Sequence, residues 1–158
     1  MNRHVGGREY TLKLLEMAEL APPSKIIDCG CGEGQTVALL KSLGYNAIGV
    51  DKIYGDDFLS LPFDDGSFDA VISECAFFAS GNQQKAIDEA FRVLKPGGKL
   101  MIADVFEGDV PFECVYKEDI TKEWTAYYLE RLWLDATVCD VPHKKGMIHY
   151  YLAVGRKQ

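Results

Sequence analysis

The stretch Lys25-Ile-Ile-Asp-Cys-Gly-Cys-Gly-Glu-Gly-Gln35 constrains this chain more than any other. Ile26 and Ile27 read as the end of a buried parallel strand, and the alternating glycines let the backbone turn sharply and approach a ligand before a helix starts near Gln35. A strand, Gly-x-Gly-x-Gly and a helix open nucleotide sites of several kinds. Asp28, ending the strand, narrows the choice: an anion there repels a pyrophosphate but can hold an ammonium group through hydrogen bonds or water. The ligand expected over Gly30, Gly32 and Gly34 is zwitterionic.

At these residues the sequence resembles the class I methyltransferases that use S-adenosylmethionine, whose first motif is two apolar residues, an acid and x-Gly-x-Gly-x-Gly. Ile26, Ile27, Asp28, Gly30, Gly32 and Gly34 match it. The resemblance implies a single α/β domain over residues 1–158, with a doubly wound Rossmann-like sheet, mostly parallel and with an antiparallel C-terminal edge. It also implies S-adenosyl-L-methionine as cofactor. The resemblance continues at Gly55-Asp-Asp-Phe-Leu-Ser-Leu-Pro-Phe63 and Ser67-Phe-Asp-Ala-Val71, runs like those of small-molecule methyltransferases of the ubiquinone and menaquinone group, and at Arg92-Val-Leu-Lys-Pro-Gly-Gly98. On that alignment Asp57 accepts the adenine amino group, the Phe58 backbone meets the ring, and Cys31, Lys52 and Glu74 also border the cofactor.

Asp51 ends a second strand, Asn46 to Asp51, about 20 residues past the glycine loop, where an acid accepts hydrogen bonds from ribose hydroxyls in nucleotide sites generally. Ahead of the loop, Leu12, Leu15 and Ala18, flanked by Leu14, Met17 and Leu20, give helical spacing over Arg8 to Leu20, with Pro22-Pro23 as its stop. The resemblance sets this helix beside the cofactor mouth, with Tyr10 near the ligand; a plain packing helix is the other reading. Further helices are expected from Gln35 to Gly44, from Asn82 to Leu94 and from Thr121 to Ala136, the last an aromatic stripe read as core. Strands are expected at Phe68–Ile72, Lys99–Asp104, Phe112–Tyr116 and Ile148–Val154.

Two connections depart from the family. Five residues separate Asp51 from Asp57, whereas a parallel crossover takes a dozen or more. Phe106 to Pro111 is likewise too short for a helix. Omitted segments at 53–54 and 108–111 are the favoured explanation, because losing the first helix would uncover the sheet beside the ligand.

A net charge of −7 disfavours nucleic acid as substrate. No apolar run approaches a membrane span of about 20 residues, and the expected setting is the cytoplasm, without membrane contact. The five cysteines read as reduced thiols. Cys29, Cys31 and Cys75 could gather near the glycine loop around a soft metal or metalloid, but the paired-ligand spacing of a zinc site is missing, and no metal is assigned. Methyl transfer from a sulfonium runs on placement and exclusion of water, so a base is optional. Glu74 and Asp104 are the acids best placed to take a proton; His143 and His149 are assigned no role. No Asn/Asp-Pro-Pro-Tyr/Phe follows the strand ending at Glu74, which separates the chain from enzymes that methylate amino groups of adenine or glutamine. The expected acceptor is a small, partly apolar molecule, entering between the first helix and the aromatic segment 124–133. A nucleotide oxidoreductase and a non-catalytic cofactor-binding module are the alternatives.

Overall fold

The structure, a computed structural model, describes residues 5–133 and 148–158. His143 and the end of the aromatic helix lie outside the described residues. The elements are α1 Gly7–Met17, β1 Lys25–Cys29, α2 Gln35–Ser42, β2 Asn46–Val50, β3 Phe68–Glu74, α3 Gln83–Val93, β4 Leu94–Glu107, β5 Cys114–Asp119, α4 Thr121–Trp133 and β6 Ile148–Arg156. They build one sheet in the order β2-β1-β3-β4-β6-β5. The first four strands run parallel, and β6 lies antiparallel between β4 and β5. This is the expected doubly wound α/β sheet with an antiparallel C-terminal edge.

Alternation along each strand sends side chains to two cores. Ile26, Ala70, Ile72 and Met101 meet Leu14 and Leu15 of α1, Ala18 just past its end, and Leu40 of α2 on one face. Ile27, Val71, Leu100 and Ile102 meet Ala86, Ile87 and Ala90 of α3 on the other. Helix α1 is rotated from its expected phase: Leu14 is buried with Thr11, while Leu12 is exposed. The helix also stops before Leu20, because Glu19 takes a left-handed conformation (φ 54°) ahead of the two prolines.

Both short connections cross the sheet without an α-helix, the first as a hydrogen-bonded turn and the second as an extended strap. After β2 the chain makes one 3₁₀ turn, Lys52–Tyr54, closed by Tyr54 N–H to Asp51 O (3.0 Å) and Gly55 N–H to Lys52 O (3.0 Å). It then runs under the sheet as a strap that buries Phe58 and Leu61. Helix α3 holds that strap. Glu89 accepts the Leu61 N–H (2.8 Å), and Arg92 donates to Leu61 O (3.0 Å), Phe63 O (2.8 Å) and Asp65 (2.8 Å). The sheet beside β1 is therefore covered without a helix.

The second strap, 108–113, is set by register. Glu107 lies opposite Ile148 and Cys114 opposite Gly155, so the link descends about 24 Å along β6, at about 3.4 Å per residue. Six linking residues cover that distance only when drawn out, which leaves no length for a helix. Val110 and Phe112 from this strap pack against the core beneath β4 and β6, and Phe112 meets Phe91 edge-on at 5.6 Å.

Candidate functional site

The glycine loop joins β1 to α2 at the carboxyl ends of the parallel strands. Gly30 and Cys31 both donate their N–H to Val50 O (2.8 and 3.2 Å), and Gly34 N–H bonds Cys31 O (2.9 Å). Gly30 needs its glycine for two reasons: φ is +85°, and a Cβ there would stand 2.3 Å from the Cβ of Ala76. Gly32 has φ +51° but nothing within 4 Å of an added Cβ, so the space above it is open to a ligand. Gly34, with φ 84°, is the N-cap of α2 and turns the chain into the helix.

That space is a cavity of about 390 Å³. Asp28, Gly30, Cys31, Gly32, Asp51, Lys52, Phe58 and Glu74, all singled out from the sequence, line it. Glu33, Gln35, Thr36, Cys75, Ala76, Ala79 and Ser80 line it too and were not assigned to the cofactor; nothing in their spacing marks which helix or loop positions face inward.

The acids of the cavity have unlike surroundings. Asp51 accepts Gly32 N–H (2.9 Å) on one oxygen and Ile53 N–H (3.1 Å) on the other, tying the glycine loop to the end of β2. Glu74 accepts the Thr11 hydroxyl from α1 (2.9 Å) and the Thr36 hydroxyl from α2 (3.5 Å). Asp28 is 3% exposed, and among the described residues nothing donates to it. Burial, then the negative charges of Glu74 and Asp51, push its carboxyl well above the usual carboxylate range.

Several expectations are corrected. Asp104 does not border the cavity. It is buried and accepts the N–H groups of Phe78 (3.0 Å) and Val105 (2.8 Å), which pins the turn carrying Ala79 and Ser80; burial raises its pKa to about 6. Glu74 is then the one sequence-predicted acid–base candidate that faces the cavity. Asp57 stands outside the wall, because one oxygen is tied in a local turn to its own Leu59 N–H (2.9 Å). Phe58 contributes its ring as well as its backbone, tilted against Phe77 at 5.3 Å. Tyr10 faces away, toward Gly6 and the acids Glu123 and Glu118.

The three thiols do not converge as a cluster. Cys29 is buried in the core under β1, Cys31 fits against Gly49 and Cys75 meets the Tyr150 hydroxyl at 2.9 Å. Burial, ahead of Asp28 and Asp51, pushes the Cys31 thiol up to about 11, so it stays neutral at physiological pH. Among the described residues no group of His, Cys, Asp and Glu is arranged to hold a metal. The aromatic stripe of α4 packs inward: Trp124 stacks on the buried Tyr150 at 5.8 Å. His149, near the start of β6, lies beside Asp119 (3.1 Å).

A family profile described as a methyltransferase domain matches residues 52–102. The chain is 33% identical over 129 residues to the demethylmenaquinone methyltransferase of Renibacterium salmoninarum, covering 70% of this chain and 54% of that protein. It is also 33% identical over 118 residues to an uncharacterized methyltransferase of Bacillus subtilis, covering 62% of this chain and 50% of that one. The chain is thus similar to methyltransferases both in sequence and in fold. It spans about half the length of the curated methyltransferases it matches. The methyltransferase fold extends further than the sequence likeness. The geranyl diphosphate C-methyltransferase of Streptomyces coelicolor A3(2), solved with S-adenosyl-L-homocysteine, superposes with a TM-score of 0.69 at 15% identity, covering 96% of this chain and 76% of that one. No described helix is long and apolar enough to cross a membrane.

Proposed function

We propose that this chain binds S-adenosylmethionine in the cavity above β1 and transfers its methyl group to a small, partly apolar molecule. The observation that carries the reading is Asp28: a buried carboxyl to which no described residue donates, on the wall of a cavity whose glycine floor is open. A buried acid of this kind suits a ligand that brings its own cation. Four carboxylates, Asp28, Glu33, Asp51 and Glu74, share the lining with one ammonium, Lys52. That balance opposes a pyrophosphate and favours a zwitterionic amino acid moiety.

Asp28 and Glu74 hold the ligand's ammonium in this reading. Each Asp51 oxygen accepts one backbone N–H and keeps a lone pair for a ribose hydroxyl. Phe58 forms the apolar wall for the base. When bound, the sulfonium supplies an electrophilic methyl carbon for in-line displacement. The protein's part is then to place the acceptor and exclude water, with Glu74 available to take a proton. Ala76, Ala79 and Ser80 border the acceptor side. The expected side of residues 104–106 is instead filled core. The acidic net charge and the likeness to a demethylmenaquinone methyltransferase support a small acceptor over nucleic acid.

Calorimetric titration tests the cofactor half: S-adenosylhomocysteine should bind and NAD should not, and NAD binding alone would refute it. A screen of small acceptors with methyl-labelled S-adenosylmethionine tests the transfer. Cofactor binding with no transfer to any acceptor in a broad screen would favour a binding module without catalysis.

A further inference from the structure

We infer that Asp28 carries a proton until a cationic ligand enters the cavity, and that ligand binding expels this proton to solvent. The inference deepens the proposed function, on which it rests for the choice of ligand.

The location of the proton follows from the hydrogen bonds. Donors aimed at a carboxylate favour its charged form. Asp51 has two, from the backbone of Gly32 and Ile53, and Glu74 has the hydroxyls of Thr11 and Thr36. Asp28 has none among the described residues, and at 3% exposure it has almost no water either. The charged groups that share the cavity lining with it are the acids Glu33, Asp51 and Glu74 and the single ammonium of Lys52. Glu74 from the end of β3 and Asp51 from the end of β2 are acids that raise its pKa. Burial, ahead of any neighbouring charge, pushes up the Cys29 and Cys31 thiols beside it, so neither offers a cation. Lys52 is the one cation in the lining, and it has no part in the shift of Asp28.

An ammonium group changes this balance. Placed against Asp28 it supplies both the donor and the positive charge that the site lacks, so the carboxyl ionises. The balance is Asp28–COOH plus R–NH₃⁺ giving the pair Asp28–COO⁻ with R–NH₃⁺, and one H⁺ taken by the buffer. No covalent bond other than O–H breaks.

The test is titration calorimetry at about pH 6.5, where free histidine-range buffers of different ionisation enthalpy can be compared. For S-adenosylhomocysteine the observed heat should vary with buffer ionisation enthalpy with a slope of about one proton released, and affinity should fall about tenfold for each pH unit lowered, by linkage. Methylthioadenosine, which keeps the nucleoside and thioether but has no ammonium, should release none. Asp28→Asn should bind S-adenosylhomocysteine more weakly, without proton release and without the pH slope. If that variant does not fold, the contrast between the two ligands on the wild-type protein still decides. Binding of S-adenosylhomocysteine with buffer-independent heat overturns the inference while the cofactor reading stands. No binding of S-adenosylhomocysteine overturns the cofactor reading, and this inference falls with it.

Discussion

Two glycines in one loop should fail in different ways when given a methyl group. Gly30 and Gly32 both have positive φ, +85° and +51°, so alanine at either costs about 1–2 kcal/mol for the left-handed backbone. At Gly30 the new Cβ also lands 2.3 Å from the Cβ of Ala76, whereas at Gly32 it meets nothing within 4 Å. Overpacking of that kind adds about 1–3 kcal/mol. Gly30→Ala should therefore lower the unfolding free energy by about 2–5 kcal/mol and Gly32→Ala by about 1–2 kcal/mol. Because the second atom of the clash is Ala76, the double variant Gly30→Ala/Ala76→Gly should recover the overpacking share. Urea unfolding of the wild type, both singles and the double gives the coupling directly, expected at about 1–3 kcal/mol. A coupling within about 0.5 kcal/mol of zero would refute the reasoning, because distant, independent sites behave that way. Gly32→Ala should instead reveal itself in ligand binding, with S-adenosylhomocysteine weakened roughly tenfold or more, beyond about 1.4 kcal/mol. Normal affinity there would remove the glycine floor from the site.

Arg92→Ala should release the strap that replaces a helix, leaving Leu61 O and Phe63 O unpaired; a loss of about 2 kcal/mol and faster amide exchange confined to 56–65 are expected, and uniform exchange would contradict it. Ser73 is fully buried, and among the described residues its hydroxyl has no hydrogen-bond partner, so Ser73→Ala should be neutral or stabilising by about 1 kcal/mol, and a clear loss in chemical unfolding would show a partner to exist. Asp104 has a folded pKa of about 6, above the ordinary 3.8. The fold thus favours the neutral acid, and this contribution is complete below about pH 4 and lost as pH rises through about 6, about 3 kcal/mol in all. Relative to Asp104→Asn, the wild type should lose that amount between acid and neutral pH; parallel stability curves would refute it. Asp51→Ala should weaken S-adenosylhomocysteine by about 1.5–3 kcal/mol, and unchanged affinity would take the ribose role from Asp51.

The site was legible where the chemistry is local. The sequence from Lys25 to Gln35 states a strand, three left-handed turns and a helix start, because only glycine adopts such φ values cheaply. The place of Asp51 beside that loop was legible because it follows a strand adjacent to β1, a relation set by the short β1–α2–β2 crossover. The phase of α1 was less legible: Leu12 and Leu14 both fit an apolar stripe, and the choice between them depends on which neighbours the helix meets.

What the sequence by itself determined is therefore the backbone that a ligand can approach and the acid beneath it. Tertiary structure alone decided which groups surround that acid. Thr11 and Glu74 stand far apart along the chain yet meet at 2.9 Å, and Asp104 turns from a candidate base into an anchor because the Phe78 amide arrives beside it. The two short links look like breaks in a linear reading. In three dimensions they are straps that Arg92, Glu89 and Phe91 of one helix hold against the sheet. The physical reason is the same in each case. A carboxylate's protonation and a segment's burial depend on neighbours brought from distant parts of the chain, and those contacts carry no local signature.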